Sequence, residues 1–308
     1  MSNGKLQKAG AFRQNTPAMN RAGAVCGCAA LFYVAARWLL TRLAGALLAL
    51  GVPGASLANP AGVGPLAAAL LRMAVSALAL AAPFMLLRLH PLAQPLALGR
   101  GRRGLAPGLF LLFWAAMLAG NLLAALAGPA GAAQLELPPG GWPLAAAYLT
   151  VCLLPAVGEE CLFRGLIQGW LRPWGPGAAV AGQAVLFALL HGRLPACLAA
   201  LFGGLALGLC AALGGSLRLG MALHLYNNTL AFAGQYAQQY GGGLVYYILL
   251  FAPALAAAAA LFAGRHSLPA RPRPQPGGQS PLWLLRCPGY LCAAGALAVF
   301  CAAQTFFA

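Results

Sequence analysis

Two glutamates stand side by side in Gly158-Glu159-Glu160-Cys161-Leu162-Phe163-Arg164, in a chain that has three glutamates and no aspartate. The flanks, Leu144 to Val157 and Leu166 to Leu171, are almost wholly apolar. A charged side chain at a bilayer centre costs roughly 2.5–3.5 kcal/mol on insertion scales, so it is seldom retained without a use. Glu160 and Arg164 stand at i,i+4 with the acid N-terminal, an ion pair that could serve only to fix helix packing. That pairing leaves Glu159 without a partner, roughly 100° around the helix from its neighbour.

Four histidines are present. His90 and His266 lie in basic loops and read as solvated. His191 and His224 fall within apolar runs. Phe187 stands one turn before His191 in Phe187-Ala188-Leu189-Leu190-His191, and His224 and Asn228 share a helical face at i,i+4. Each has a plain structural reading: a core histidine bonded to a carbonyl, or polar glue between helices at about 0.6 kcal/mol a contact. With Glu159 they also make a chemical set. There is no HExxH, GxSxG or P-loop, and no nucleophile beside a histidine on one helix. A carboxylate kept from bulk water can act as a general base. His191 could share in orienting the water, and His224 with Asn228 offers donors to the oxyanion formed at an amide carbonyl. The same Glu159, His191 and His224 could instead hold a divalent metal such as Zn with a position open for water. The cofactor is therefore either none or such a metal.

The elements that must position these groups follow from composition. Apolar residues make up 61% of 308 residues and charged residues 7%, against roughly 25% in soluble domains. The expectation is an all-α, polytopic transmembrane bundle of eight or nine spans, near 24–52, 63–87, 105–127, 142–171, 178–197, 198–214, 217–236, 244–263 and 281–306. Seventeen Arg and two Lys give a net charge of +16. No basic–aromatic interleaving marks a nucleic-acid partner, and the charge suits anionic lipid instead. The loops at 88–103 and 264–280 are Arg-rich, whereas those at 53–62, 128–141 and 237–243 carry no Lys or Arg. The positive-inside rule then puts the N-terminus in the cytosol. Counting at about 1.5 Å per residue places Glu159 and His191 each about 20 Å from the basic side, with His224 10–15 Å into its own span. Ser56-Leu57-Ala58 imitates a signal-peptidase site, but far later in the chain than usual. Nine scattered cysteines without a CxxC pair read as small core residues.

In order, Glu159-Glu160-x-x-x-Arg164, Phe187-x-x-x-His191 and His224-x-x-x-Asn228 resemble the CAAX-protease and bacteriocin-processing family of intramembrane proteases, which includes type II CAAX prenyl endopeptidases. The likeness covers about residues 142–260. It implies that Glu159, with His191, activates water, that Glu160 and Arg164 hold the site together, and that His224 and Asn228 form the oxyanion hole. Members have been described both as metalloproteases and as metal-free glutamate proteases. The organisation expected is a basic cytosolic tail at 1–22, N-terminal spans at 23–141, a catalytic core at 142–263, and a basic Pro-rich loop with a final apolar span at 264–308. The function expected is endopeptidase action at the inner, cytoplasmic membrane on a membrane-embedded peptide or protein, with a prenyl group, another lipid or a sorting tail as its mark. The other class that fits is a non-catalytic immunity or scaffold protein that keeps the polar pocket. A proton-coupled transporter fits less well, because neither internal repeats nor broken helices appear.

Overall fold

The computed structural model describes residues 3–53, 55, 62–88, 101–128, 136–264 and 281–306, and the side chains of all of these except 3–16, 86–88, 281 and 306. The described residues are helical, without strands. The helices are α1 (Asn3–Gly51), α2 (Pro65–Arg88), α3 (Ala106–Leu126), α4 (Gly141–Trp174), α5 (Pro176–Leu189), α6 (Leu194–Gly214), α7 (Leu217–Tyr240), α8 (Gly243–Phe262) and α9 (Pro288–Phe306). Seven of them are long and apolar enough to cross a membrane. The chain is a multi-pass helical membrane protein, and among the described residues its nine helices stand where eight or nine spans were expected. The fourteen residues of α5 reach only about 21 Å, short of a ~30 Å hydrocarbon core. The twenty-four residues of α7 are long enough but carry His224, Asn227, Asn228 and three glutamines. Leu43, Leu47, Leu122, Leu244 and Phe251 are among the large apolar side chains left on the outside, where lipid tails would meet them.

α1 is longer than its apolar run. The segment 1–22, read as a tail, is helical from Asn3, and Met19 and Ala22 are buried. Gly23 and Gly27 bring α1 against α9: a Cβ at Gly23 would lie 2.5 Å from Cys287 Sγ, and one at Gly27 2.5 Å from Ala293 Cβ. Such small-xxx-small spacing lets helix backbones approach in lipid, where no hydrophobic force drives association. Cys26, Ala29, Ala30 and Tyr33 thereby join one core with Phe163, Ile167, Trp170 and Leu297. The first and last helices are thus packed around the expected catalytic core. Elsewhere α3 runs along α6, α5 pairs with α6, and α7 lies against α4.

α4 is not a uniform helix. Leu149–Leu153 and Cys161–Ile167 are π-helical turns, in which Leu154 N–H donates to the Leu149 carbonyl and Gln168 N–H to that of Phe163. Turns of this kind recur inside helices at functional sites. The two glutamates fall between them. The α5–α6 connection is a second departure from expectation. α5 ends at Leu189, Gly192 takes a left-handed φ of +70°, and Pro195 sits in the first turn of α6. His191 therefore lies in a turn rather than within a span. Non-helical backbone at membrane depth is tolerated where it is buried in protein or lines a cavity, and this turn lines one. His90, His266, Ser56-Leu57-Ala58, most of the 88–103 loop and the 265–280 loop lie outside the described residues.

Candidate active site

Glu160 is fully buried, and its Oε1 accepts two hydrogen bonds: from Arg164 Nη1 at 2.7 Å and from His224 Nδ1 at 2.9 Å. The i,i+4 spacing delivers the first and the packing of α7 on α4 the second. Arg164 also donates Nη2 to the Gly204 carbonyl of α6 at 3.2 Å, and its guanidinium lies 4.4 Å from the centre of the Phe187 ring. That contact is of the cation–π kind and is desolvated. The same ring meets His191 edge-on at 5.1 Å and His224 at 5.8 Å. Phe187 is the common wall of the arginine and both histidines, which gives the aromatic of the second motif a physical role.

The other oxygen of Glu160, Oε2, has no hydrogen-bond partner and faces Gly220, one helical turn before His224. A Cβ there would lie 2.8 Å from it. Because Arg164 and His224 hold the carboxylate from its other side, it has little freedom to retreat. Gly220→Ala is therefore expected to lower stability by roughly 1–3 kcal/mol, as overpacking does. Thermal melting of the purified protein would show this as a lower midpoint, and an unchanged midpoint would contradict the packing described.

Glu159 lies roughly 100° around α4 from Glu160. Its Oε1 accepts a hydrogen bond from the Tyr33 hydroxyl of α1 at 3.0 Å. Its Oε2 lies 3.9 Å from His224 Nε2, beyond direct hydrogen bonding but within the span of one bridging water. With Nδ1 of His224 donating to Glu160, Nε2 is the nitrogen left for chemistry. Glu159 also lines a cavity of about 450 Å³ together with Tyr33, Arg37 and Arg42 of α1 and the His191–Arg193 turn. His191 is exposed to this cavity, and its Nδ1 donates to the Phe187 carbonyl at 3.0 Å, which turns Nε2 outward.

Asn228 stands elsewhere. Its amide donates to the Cys152 carbonyl at 3.3 Å, and Cys152 Sγ donates to the Asn228 carbonyl at 3.4 Å, so the side chain ties α7 to the first π turn of α4. Asn227 faces a separate polar cavity with Asn121 and Gln238. Three polar residues that sequence reasoning passed over complete the setting. Gln168 donates to the Gly208 carbonyl at 2.9 Å and Gln183 to the Gly204 carbonyl at 2.8 Å, both fully or nearly buried. Gln168 could have been found, since it extends the Glu160–Arg164 stripe by one further i,i+4 step. Tyr33 had no such signal.

Among the described residues, no three His, Cys, Asp or Glu side chains converge in a way that could hold a metal ion. Zinc would need three protein ligands at about 2.0–2.2 Å around one point, and Glu159, His191 and His224 form no such group. The side chains as placed do not fit a metal. What they do fit is a water held between a carboxylate and an imidazole, beside a cavity.

Residues 141–230 fit the family model described as type II CAAX prenyl endopeptidase Rce1-like. This segment runs from the start of α4 to the middle of α7. No curated protein and no solved structure matches the chain.

Proposed function

From the premise that the chain belongs, through residues 141–230, to the CAAX-protease family, we propose that it is an intramembrane endopeptidase that hydrolyses a peptide bond with a water activated by Glu159. The observation that carries this reading is the gap between Glu159 Oε2 and His224 Nε2 at the edge of a cavity. A water there gives its proton to the carboxylate as its oxygen attacks the substrate carbonyl, without a covalent acyl intermediate. Glu160 and Arg164 fix His224 in one tautomer and orientation. His191 Nε2, turned into the cavity, is placed to orient the water or the carbonyl. Asn228 supports the α4–α7 contact in this reading, since its amide is engaged by backbone. The substrate is a membrane-embedded peptide or protein, with a prenylated, lipidated or sorting tail as candidates, and the site of action is the cytoplasmic membrane with the N-terminus in the cytosol.

Tyr33 enters the mechanism as a positioning residue. A hydrogen bond to a charged group contributes about 1.5–3 kcal/mol, so Tyr33→Phe should lower kcat roughly tenfold or more. KM should stay near the wild-type value, because Tyr33 aims the base rather than the substrate. Steady-state kinetics on a membrane-anchored peptide would check this, and a KM effect alone would contradict it. The function itself is tested by incubating the purified protein in detergent with prenylated and unprenylated membrane-anchored peptides. Defined internal cleavage by wild type, absent in Glu159→Gln, supports the reading. Interaction of an intact membrane partner equally with both forms, and no cleavage, supports a scaffold instead.

A further inference from the structure

We infer that Cys197 and Cys301 are a modification site, joined in the mature protein by a disulfide that ties α9 to the turn carrying His191. Their Sγ atoms lie 3.2 Å apart across 104 positions of sequence, and both side chains are buried. A disulfide sets this distance at about 2.03–2.05 Å, so a short movement closes the bond. The other buried cysteines face elsewhere. Cys26, Cys152, Cys210 and Cys287 donate their thiols to the backbone carbonyls of Ile167, Asn228, Leu109 and Asn20 respectively. Cys197 and Cys301 instead have each other.

The backbones on both sides of the pair are already held together. The Thr305 hydroxyl, one turn beyond Cys301, accepts a hydrogen bond at 2.9 Å from the N–H of Leu194, the residue that opens α6. On the adjoining turn, a Cβ at Gly192 would lie 3.3 Å from the Phe300 ring and 3.9 Å from Gln304 Cγ. His191, Gly192, Phe300 and Gln304 all line the cavity beside Glu159. A bond between Cys197 and Cys301 therefore fixes one wall of that cavity. Cys301 lies outside the matched segment 141–230, so the cross-link belongs to the way α9 is added to the family core.

Two helices place the pair on the same side of the membrane. The Gly214 carbonyl at the end of α6 accepts a hydrogen bond from Arg102 N–H at 3.0 Å, next to the Arg-rich segment. Cys197 stands near the other end of the helix Leu194–Gly214, about 25 Å away. Gly23 and Gly27 meet Cys287 and Ala293 in that order, so α1 and α9 run the same way. Cys301 then lies about 20 Å beyond the start of α9 at Pro288, away from the N-terminal end of α1. With the N-terminus and the basic loops in the cytosol, both sulfurs fall toward the opposite face. Disulfides form and persist outside the cytosol.

Neither sulfur is open once α9 has docked, so the bond forms as α9 packs. The oxidant is a disulfide-bearing molecule. The Cys197 thiolate attacks one of its sulfurs, and a mixed disulfide forms as the first oxidant thiolate leaves. The Cys301 thiolate then attacks Cys197 Sγ, and the second oxidant thiolate leaves. Two electrons pass from the cysteines to the oxidant, and the two cysteine protons end on its two thiols.

The test uses the full-length protein from cells quenched with N-ethylmaleimide, purified in detergent without reductant and denatured in more of the same reagent. Mass analysis should find two of the nine cysteines unmodified. Reduction followed by iodoacetamide should then mark Cys197 and Cys301, and Cys26 and Cys287 should carry the maleimide. Nine maleimide adducts, or a protected pair other than Cys197 and Cys301, would overturn the inference. Reductant should lower the melting midpoint of the wild-type protein by at least about 3 °C and leave that of Cys301→Ser unmoved. Cys301→Ala serves the same purpose should the serine variant fold poorly. An equal response of wild type and variant would show that the bond does not hold this wall. A cross-linked protein that cleaves no peptide would keep the disulfide and remove the endopeptidase reading. Cleavage by a protein with nine free thiols would do the reverse.

Discussion

Glu159→Gln should lower peptide hydrolysis by about 10²–10⁴-fold, the share general-base catalysis commonly contributes, while leaving the fold intact. The amide has nearly the shape of the carboxylate and can still accept the Tyr33 hydrogen bond through its carbonyl oxygen. The neighbouring cluster keeps its hydrogen bonds, because the carboxylate that accepts from Arg164 and His224 is that of Glu160. The expected pattern is therefore a normal melting midpoint with a lost rate. A rate within a few fold of wild type would remove Glu159 as the base. A lost midpoint would show that the residue is structural, as a packing role for the paired acids would require.

Arg164→Met should have the larger effect on the protein itself. Both side chains of the Arg164–Glu160 pair are fully buried, at 2.7 Å. Removing one partner of a buried pair costs about 3–5 kcal/mol, because the other charge is left uncompensated. The substitution also takes a donor from the Gly204 carbonyl and the cation from the Phe187 ring. Detergent-extracted yield and melting midpoint should both fall sharply. Adding Glu160→Gln should recover much of the fold, since a neutral pair of similar volume avoids the stranded charge. Activity should stay low in that double variant, because His224 then bonds to an amide and its orientation is no longer set by a carboxylate. Wild-type yield from Arg164→Met alone would contradict the energetic role assigned to the pair.

Much of this arrangement is legible in the residues. A carboxylate pair, an arginine at i,i+4 and two histidines inside apolar runs have few places to go in a bilayer other than toward each other. Glu160, Arg164 and His224 do meet, and Glu159 shares a cavity with His191. What was not legible has physical reasons. Tyr33 reaches Glu159 across 126 positions of sequence, and a tyrosine in an apolar helix has no periodic signature. Its approach depends on Gly23 and Gly27, a spacing that is visible in the sequence but whose partner helix is not. Asn228 has the right spacing from His224, but a π turn without sequence signal lays the Cys152 carbonyl within its reach. The length assigned to the fifth span ran past Gly192 and Pro195, a turn signal outweighed there by hydropathy.

The most direct measurement of the central claim is mass analysis of the products formed by purified protein in detergent from a membrane-anchored peptide panel in H₂¹⁸O. Attack by a Glu159-activated water predicts one defined internal cut, with ¹⁸O in the new carboxylate, for the wild-type protein, and no product for Glu159→Gln. Intact peptides across the panel with the wild-type protein, or the same labelled products from both proteins, would contradict it.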